Sequence, residues 1–172
     1  MTPETVKSLI KDVKDFPQEG IVFKDITPIL ENPVAYRSVM NFFINCLEGL
    51  KVTHIVAIES RGFILGASLA VLKELPLTLV RKPGKLPRKT ISYSYDLEYG
   101  SDTLEIHSDA LTSEDRVVII DDVLATGGTA HATEELCRKA GAQVEKLLFL
   151  IELNELKGAS KLQAPYNSFI QF

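Results

Sequence analysis

The sequence predicts an α/β protein with a mostly parallel sheet, and three observations support that fold class. Short apolar runs, among them HIVAIE (54–59), LTLVR (77–81) and VVII (117–120), indicate buried strands. Segments with apolar residues at helical spacing stand between these runs, as in parallel sheets that are covered by helices. The 172 residues contain no internal repeat, low-complexity tract or Pro/Gly-rich linker, which indicates a single domain.

The N-terminal segment carries two helix-start signals. Thr2-Pro3 places a capping residue before a proline at the first helical position. The apolar residues that follow recur at helical spacing and predict one helix that ends at Pro17; they are Val6, Leu9, Ile10, Val13 and Phe16. IVFKDI (21–26) predicts a short strand or extended segment, and Asn32-Pro33 predicts a second helix to about Glu48.

Strands and helices alternate through the rest of the chain. A tight turn, SRG (60–62), leads into a helix over GFILGASLAVLKE (62–74). TISYSYDLEYGSDTLEIH (90–107) alternates apolar and polar residues, turns near its middle and predicts a hairpin with one polar face. A helix from roughly Gly128 to Lys139 and a last long strand, VEKLLFLIEL (144–153), complete the predicted set.

Composition argues against several classes of protein. The net formal charge of −4 is unlike that of a general nucleic-acid-binding surface. The longest mostly apolar run, Gly62 to Leu72, is far too short to span a membrane, and the charged N-terminus does not resemble a signal peptide. The three histidines are scattered and form no metal-ligand cluster. Cys46 and Cys137 are expected to be free thiols, which favours a cytoplasmic protein. Because of the charge and the short apolar runs, we expect it to bind neither nucleic acid nor membrane.

RVVIIDDVLATGGT (116–129) is the most informative stretch of the chain. It places Asp121 and Asp122 at the end of a buried strand, and ATGGT (125–129) between that strand and a helix. Ligands of open α/β sheets bind beyond the carboxyl ends of the strands. The two glycines let backbone N–H groups face a ligand, the helix N-terminus favours an anion, and the two threonines add hydroxyl donors. This combination predicts a cradle for a phosphate monoester.

The acidic pair in the same stretch points to the rest of that ligand. Two carboxylates would repel a phosphate at contact distance, so we expect them to face hydroxyl groups, as in a ribose 5-phosphate. GxxxxGK[ST] and GxGxxG are both missing from the chain, so P-loop and Rossmann binding are not indicated. A purely structural interpretation is the alternative: Asp121 caps the next turn and Gly127-Gly128 is only a flexible loop.

A basic loop, RKPGKLPRK (81–89), has five basic residues among nine and no acidic one. In an acidic protein, a loop of this composition favours an anionic small ligand. A solvated loop that only keeps the chain soluble would have the same composition, so the loop alone does not decide between the two interpretations.

VVIIDDVLATGGT (117–129) resembles the phosphoribosyl-pyrophosphate motif of the type I phosphoribosyltransferases. Three further segments resemble the adenine phosphoribosyltransferases of that family: GIVFKDITPIL (20–30), ESRGF (59–63), and RKPGKLP (81–87) followed by SYDLEYG (94–100). Together the matching segments run from about Phe16 to Leu162. Relatives that act on 6-oxopurines typically carry Glu-Asp where this chain has Asp-Asp. That difference favours adenine, although xanthine enzymes can share the Asp-Asp form.

The resemblance implies the type I phosphoribosyltransferase fold. This fold has a mostly parallel five-stranded core sheet with flanking helices, an N-terminal hood (mainly 1–33) and a flexible β-hairpin flap (about 82–107). The implied reaction of purine salvage transfers the 5-phosphoribosyl group from 5-phosphoribosyl 1-pyrophosphate to adenine, giving AMP and pyrophosphate. Mg²⁺ is the implied cofactor, bound mainly through the substrate and without a dedicated protein ligand. A homodimer is implied as well, with some basic residues reaching the partner subunit's site.

Site residues follow from the same resemblance. The 5′-phosphate would be held by Ala125, Thr126, Gly127, Gly128 and Thr129, and the ribose hydroxyls by Asp121 and Asp122. Pyrophosphate contacts fall on Arg61, Arg81, Lys82 and Lys85.

The adenine contacts and the catalytic residue complete the implied site. Backbone groups of Val22 and Lys24 would read the edge of adenine, and its ring would stack between Phe23 and Leu153. Glu98 would hydrogen-bond the purine imidazole and manage its proton as the base attacks C1′, and Tyr99 would support the flap.

Two alternative functions are weaker. A phosphoribosyltransferase for another purine such as xanthine would share the phosphate cradle, but the segment GIVFKDITP (20–28) argues against it. A non-catalytic regulator that senses phosphoribosyl pyrophosphate usually adds a DNA-binding segment, and this chain has no spare segment for one. The chain also retains Glu98 and the basic loop.

Overall fold

The computed structural model describes residues 1–96 and 100–172. The described chain divides into two compact units, Met1–Phe42 and Phe43–Phe172, and each unit is described by itself. Within the described ranges, no helix is both long enough and apolar enough to cross a membrane.

The first unit begins with a shorter helix than the sequence predicts. Helix α1 spans only Pro3–Lys7. Thr2 caps it as predicted, because its hydroxyl accepts a hydrogen bond from the Thr5 N–H at 3.3 Å. The chain then forms strand β1 (Lys11–Lys14), which pairs antiparallel with strand β2 (Val22–Asp25).

The prediction of one helix up to Pro17 is therefore wrong. All four residues of β1 are exposed, and Phe16 beyond them is 50% exposed, so the helical spacing of apolar residues does not mark a buried face here. The β1–β2 ladder pairs the backbone instead, with Val13 opposite Phe23. The Phe16 ring packs edge-on against Phe23, with ring centroids 5.1 Å apart. This aromatic contact stabilises the hairpin in place of the predicted helix.

The next two helices each have a proline in the first turn. A short helix, α2 (Thr27–Leu30), is present where the sequence predicts no helix. Helix α3 (Pro33–Cys46) starts where Asn32-Pro33 predicts it and ends two residues before the predicted Glu48. The Asn32 side-chain oxygen accepts the N–H groups of residues 34 and 35, both at 3.1 Å, so the predicted cap is formed.

A five-stranded parallel sheet forms the core of the second unit and confirms the predicted fold class. Its strands lie in the order β4-β3-β7-β8-β9, and every neighbouring pair is parallel. The five strands are β3 (His54–Ile58), β4 (Leu77–Val80), β7 (Arg116–Leu124), β8 (Gln143–Glu152) and β9 (Tyr166–Gln171). The sequence does not predict β9, because only Phe169 and Ile170 of its six residues are buried and its apolar pattern is short.

Strand β7 is longer than the apolar run that predicts it. It continues through Asp121 and Asp122 to Leu124, where the sequence predicts an end at Ile120. Asp121 lies beside Phe149 of β8 in the parallel register, so the sheet ladder extends through the acidic residues. Pairing with β8 thus outweighs the low strand propensity of aspartate.

Two helices follow strands of this sheet: α4 (Gly62–Lys73) and α5 (Gly128–Lys139). Their bounds agree with the predicted ones to within one residue. Helix α4 approaches strand β3 closely, since a Cβ atom at Gly66 would lie 2.6 Å from the Cβ of Ala57. The helix can pack at this distance only without a side chain at that position.

The predicted hairpin is formed by β5 (Thr90–Asp96) and β6 (Ser101–His107), paired from Thr90–His107 to Asp96–Ser101. Its apolar residues pack on the core of the second unit; they are Ile91, Tyr93, Tyr95, Leu104 and Ile106. Arg81 exchanges two backbone hydrogen bonds with Glu105, at 3.0 and 2.7 Å, which fastens the start of the basic loop to the hairpin.

We expect Gly66→Ala to destabilise the protein. The added methyl group must displace Ala57 or the helix backbone, and the overpacking outweighs the gain in helix propensity, for a net loss of about 1–2 kcal/mol in the free energy of unfolding. Urea denaturation followed by circular dichroism measures the change. Ser68→Ala on the same helix is the control and should lie within about 0.5 kcal/mol of wild type. An unchanged or higher stability of Gly66→Ala would contradict the close approach.

Candidate active site

A small cavity lies where strand β7 passes into helix α5. It has a volume of about 80 Å³ and is lined by Asp121 and residues 123–130, which include all five residues predicted to hold a 5′-phosphate. Gly127 has a φ of +77° and directly precedes the helix, whose first residue is Gly128. The first backbone N–H groups of α5 have no partner within the helix, and the helix dipole makes this end favourable for an anion.

Gly158 braces the loop that lines this cavity. A Cβ atom at Gly158 would overlap the Ala125 carbonyl and lie 2.8 Å from the Gly127 nitrogen. In the same way, a Cβ atom at Gly127 would overlap the Gly158 carbonyl. The two backbones therefore touch directly, and the positive φ of Gly127 adds a second reason for glycine. No local pattern in the sequence marks Gly158, because only its contact in space shows its role.

Asp121 and Asp122 lie side by side next to the cavity. Asp122 is 5% exposed, and its backbone N–H donates to the Asp121 carboxylate at 2.8 Å. Burial raises the pKa of Asp121 well above its usual value, and the neighbouring Asp122 carboxylate raises it further. Burial also raises the pKa of Asp122, whereas the Arg61 guanidinium acts in the opposite direction. A pair of this kind favours a ligand that donates hydrogen bonds to both carboxylates.

Arg61 reaches this acidic pair from the turn between β3 and α4. Its Nη2 atom lies 2.7 Å from Asp122 Oδ2. The turn comes close to β7 because Gly62 has no side chain: a Cβ atom there would lie 2.9 Å from the Ile120 carbonyl oxygen and 3.0 Å from Asp121 Oδ1. The structure thus brings together one residue predicted for pyrophosphate and two predicted for ribose.

The basic loop is held by carboxylates that the sequence-based prediction did not assign, among them Glu59 and Asp102. Glu59 Oε2 accepts the Arg81 Nε–H and the Lys82 backbone N–H, both at 3.0 Å. Lys82 Nζ donates to Asp102 Oδ2 on β6 at 2.8 Å, and this hydrogen bond raises the pKa of Lys82. The Lys85 carbonyl accepts from Arg81 Nη1 at 3.2 Å, so the backbone of the loop folds back on Arg81.

The residues predicted for adenine belong to different units. Val22, Phe23 and Lys24 lie on β2, where the Lys24 ammonium pairs with Asp12 at 2.7 Å across the hairpin. Leu153 follows β8 and is half-buried, and its N–H donates to the Leu124 carbonyl at 2.9 Å. Glu98 and Tyr99 lie outside the described residues.

The carboxylates beside the cavity fit a cation that arrives with the substrate. Mg²⁺ prefers oxygen ligands and is usually held by one or two carboxylates together with substrate phosphates. Asp121 and Asp122 offer such oxygens next to the cavity. Across residues 1–96 and 100–172, no group of three or more side chains suited to hold a metal ion is present.

The same segment of the chain matches a known family. The model of the phosphoribosyl transferase domain matches residues 25–168, which include both aspartates, the cavity loop and the basic loop. This match defines the class of protein: it is a phosphoribosyltransferase with the type I fold.

Curated relatives and solved structures narrow the class. The adenine phosphoribosyltransferase of Carboxydothermus hydrogenoformans is 58% identical over 157 residues, which cover 91% of this chain and 92% of that protein. The adenine phosphoribosyltransferase of Pasteurella multocida is 50% identical, with 92% and 88% covered. The chain belongs to the adenine phosphoribosyltransferase family.

Crystal structures of that family superimpose closely on this fold. The enzyme of Thermoanaerobacter pseudethanolicus gives a TM-score of 0.96 at 47% identity, with 99% of this chain and all of that chain covered. The enzyme of Saccharomyces cerevisiae, crystallised with D-2,5-dideoxy-2,5-imino-altritol 1,6-bisphosphate and adenine, gives 0.92 at 38% identity, with 97% of both chains covered. The enzyme of Giardia lamblia was crystallised with 9-deazaadenine and gives 0.93 at 37% identity, with 100% and 98% covered.

We expect Asp121→Asn to stabilise the fold and to impair substrate binding. The raised pKa of Asp121 means that its charged form is disfavoured in the native state, so wild-type stability falls as pH rises from the usual aspartate pKa of about 3.9 through the raised native value. The variant lacks this loss, so its melting temperature should exceed that of wild type at pH 7. The difference should shrink as the pH falls below about 4, where Asp121 becomes protonated in both states.

Asp121→Asn should weaken substrate binding although it stabilises the fold. Loss of the charged acceptor should raise the KM for 5-phosphoribosyl 1-pyrophosphate about 10- to 100-fold. Thermal unfolding at several pH values and initial-rate kinetics measure the two effects. Asp109→Asn, whose side chain is 62% exposed, is the control for both. A melting temperature below that of wild type at pH 7 would contradict the unfavourable charge at position 121.

Proposed function

We propose that this protein transfers the 5-phosphoribosyl group from 5-phosphoribosyl 1-pyrophosphate to adenine, giving AMP and pyrophosphate in purine salvage. The observation that carries the proposal is the cavity at the start of α5, a phosphate-sized space that is lined by Asp121, the neighbour of the buried Asp122. Membership of the adenine phosphoribosyltransferase family supports the choice of substrates. In this site the backbone and hydroxyls of residues 125–129 bind the 5′-phosphate, and Asp121 and Asp122 accept hydrogen bonds from the ribose hydroxyls.

The pyrophosphate end of the substrate meets positive charge. As the bond between C1′ and the pyrophosphate oxygen breaks, negative charge grows on the leaving group, and cations stabilise it. Arg61, Arg81, Lys82 and Lys85 supply these charges in the proposal. Mg²⁺ bound to the diphosphate would neutralise part of the same charge, and the carboxylates of Asp121 and Asp122 would help to hold it.

Adenine forms the new bond to C1′ through one nitrogen of its imidazole ring, and the imidazole ring loses a proton. Glu98 accepts a hydrogen bond from the imidazole and takes this proton in our proposal, with Tyr99 supporting the flap. Backbone groups of Val22 and Lys24 read the adenine edge, and Phe23 and Leu153 contact the ring faces. The partial exposure of Phe23 and Leu153 in the present structure is compatible with ring contacts.

The choice of adenine over other bases leads to a direct test. AMP should form from labelled adenine only when both 5-phosphoribosyl 1-pyrophosphate and Mg²⁺ are present. Hypoxanthine, guanine and xanthine should give no nucleotide at comparable rates. Glu98→Gln should lower kcat by about 10²- to 10⁴-fold, the range for loss of a general base. Glu114→Gln on an exposed turn should leave the rate unchanged. Efficient turnover of xanthine would favour the alternative enzyme, and binding of substrate without turnover of any base would favour a regulator.

We also propose a homodimer in the cytoplasm. The two cysteines are free, which fits a reducing compartment. Apolar side chains are exposed on α4 and on the neighbouring edge strand β4: Val71 is 78% exposed, Leu72 56% and Leu77 36%. An exposed apolar patch of this kind favours burial against a second copy.

The dimer can be tested by one charge substitution. Light scattering after size-exclusion chromatography should give twice the chain mass for wild type and a shift towards the monomer for Val71→Glu, because the interface would then bury an unpaired charge. Lys161→Glu, at the exposed end of a short 3₁₀ helix outside α4, is the control and should leave the mass unchanged. A monomeric wild type would refute the proposal.

A further inference from the structure

The described part of the β5–β6 hairpin lies against the helix that carries the cavity loop. Lys139 Nζ on α5 donates to the Ser92 carbonyl at 3.0 Å, and the Tyr93 ring meets His131 edge-on with centroids 6.5 Å apart. Closest to the cavity, the Tyr95 ring covers Gly128, where a Cβ atom would lie 3.2 Å from a ring carbon. These contacts place the Tyr95 hydroxyl at the edge of the proposed 5′-phosphate site.

That hydroxyl has two neighbours that can accept its hydrogen. Thr129 Oγ1, in the cavity lining, lies at 3.1 Å, and Asp102 Oδ2 lies at 3.5 Å. Asp102 Oδ2 already accepts the Lys82 ammonium at 2.8 Å, which supplies the carboxylate with a charged donor. Thr129 is therefore the nearer acceptor and the one without a cation. A tyrosine hydroxyl keeps its hydrogen at neutral pH, and burial raises the pKa of Tyr95 further.

We propose that Tyr95 is a positioning residue that orients the Thr129 hydroxyl for the 5′-phosphate. A threonine hydroxyl has a single hydrogen to donate. When Tyr95 donates to Thr129 Oγ1, that oxygen acts as an acceptor and the Thr129 hydrogen is left for the ligand. The chain from the Tyr95 O–H through the Thr129 O–H to a phosphate oxygen also polarises both hydrogen bonds in the favourable sense. The inference rests on the proposed function, in which Thr129 donates to the 5′-phosphate.

The role differs from simple packing. A phenylalanine at position 95 would keep the ring against Gly128 and the hairpin against α5, and would remove only the hydroxyl. Thr129 would then rotate freely and would have to be ordered by the ligand. The loss should therefore appear in the binding of ligands that carry a 5′-phosphate, and not in fold stability or in the binding of pyrophosphate.

Tyr95→Phe tests this directly. Calorimetry with AMP should show a dissociation constant about three- to tenfold higher than wild type, and the KM for 5-phosphoribosyl 1-pyrophosphate should rise by a similar factor. The dissociation constant for pyrophosphate and kcat should stay within about twofold of wild type. Tyr93→Phe, two residues away on the same strand, is the matched control and should leave AMP binding within about twofold. Unchanged AMP binding by Tyr95→Phe would overturn the inference.

Substitutions at Thr129 separate positioning from packing. In a Thr129→Val background, Tyr95→Phe should weaken AMP binding no further, because the hydroxyl that Tyr95 orients is gone. In a Thr129→Ser background, the three- to tenfold effect should persist. An equal loss in the valine background would assign Tyr95 a packing role and overturn the proposal.

Two outcomes for the wild type distinguish the proposed reaction from the role of Tyr95. A wild type that binds AMP yet forms none from adenine would refute the proposed reaction and leave the Tyr95 result valid, because that result is a binding measurement. A wild type that does not bind AMP would overturn the 5′-phosphate site and this inference together.

Discussion

The ion pair between Arg61 and Asp122 is the interaction on which the rest of the site depends. Two neighbouring carboxylates stand beside a cavity suited to an anion, and burial disfavours the charge on both. The Arg61 guanidinium, whose Nη2 atom lies 2.7 Å from Asp122 Oδ2, favours the charged form of the pair and so opposes the effect of burial. It reaches Asp122 because Gly62 lets the β3–α4 turn approach β7 closely. The register of β7, the glycine at position 62 and the ion pair of Arg61 therefore act together. Together they allow carboxylates that suit ribose hydroxyls to lie next to a phosphate cradle.

Basic side chains proposed to bind pyrophosphate are also paired with carboxylates of the protein. Arg81 pairs with Glu59, and Lys82 pairs with Asp102. Binding of a diphosphate would therefore exchange one anionic partner for another, and its affinity is the difference between the two sets of contacts. The pairing also connects the basic loop to the hairpin, so the geometry of the hairpin and the charges for the leaving group are not independent. The Lys82 pair is partly exposed, so solvent and salt weaken it.

Agreement between sequence and structure follows the strength of local signals. Asn32-Pro33 and the run at 54–58 combine propensity, capping and burial, and the structure has a helix start and a strand there. The residues up to Phe16 include apolar side chains at helical spacing, but Val13 and Phe16 are exposed, and hairpin pairing with β2 decides the conformation after α1. Strand β9 depends on pairing with β8 more than on its own composition, which is why its sequence alone did not predict it.

The sequence by itself determined the α/β class and the chemistry of the phosphate motif, since these rest on periodicity and on residue types within one short segment. Only the tertiary structure decided that Gly158 braces the cavity loop, that Glu59 and Asp102 hold the basic loop, and that Tyr95 reaches Thr129. Each of these contacts joins residues far apart in the chain. A local pattern contains no information about such distances, because they are set by how the sheet, the helices and the hairpin pack together.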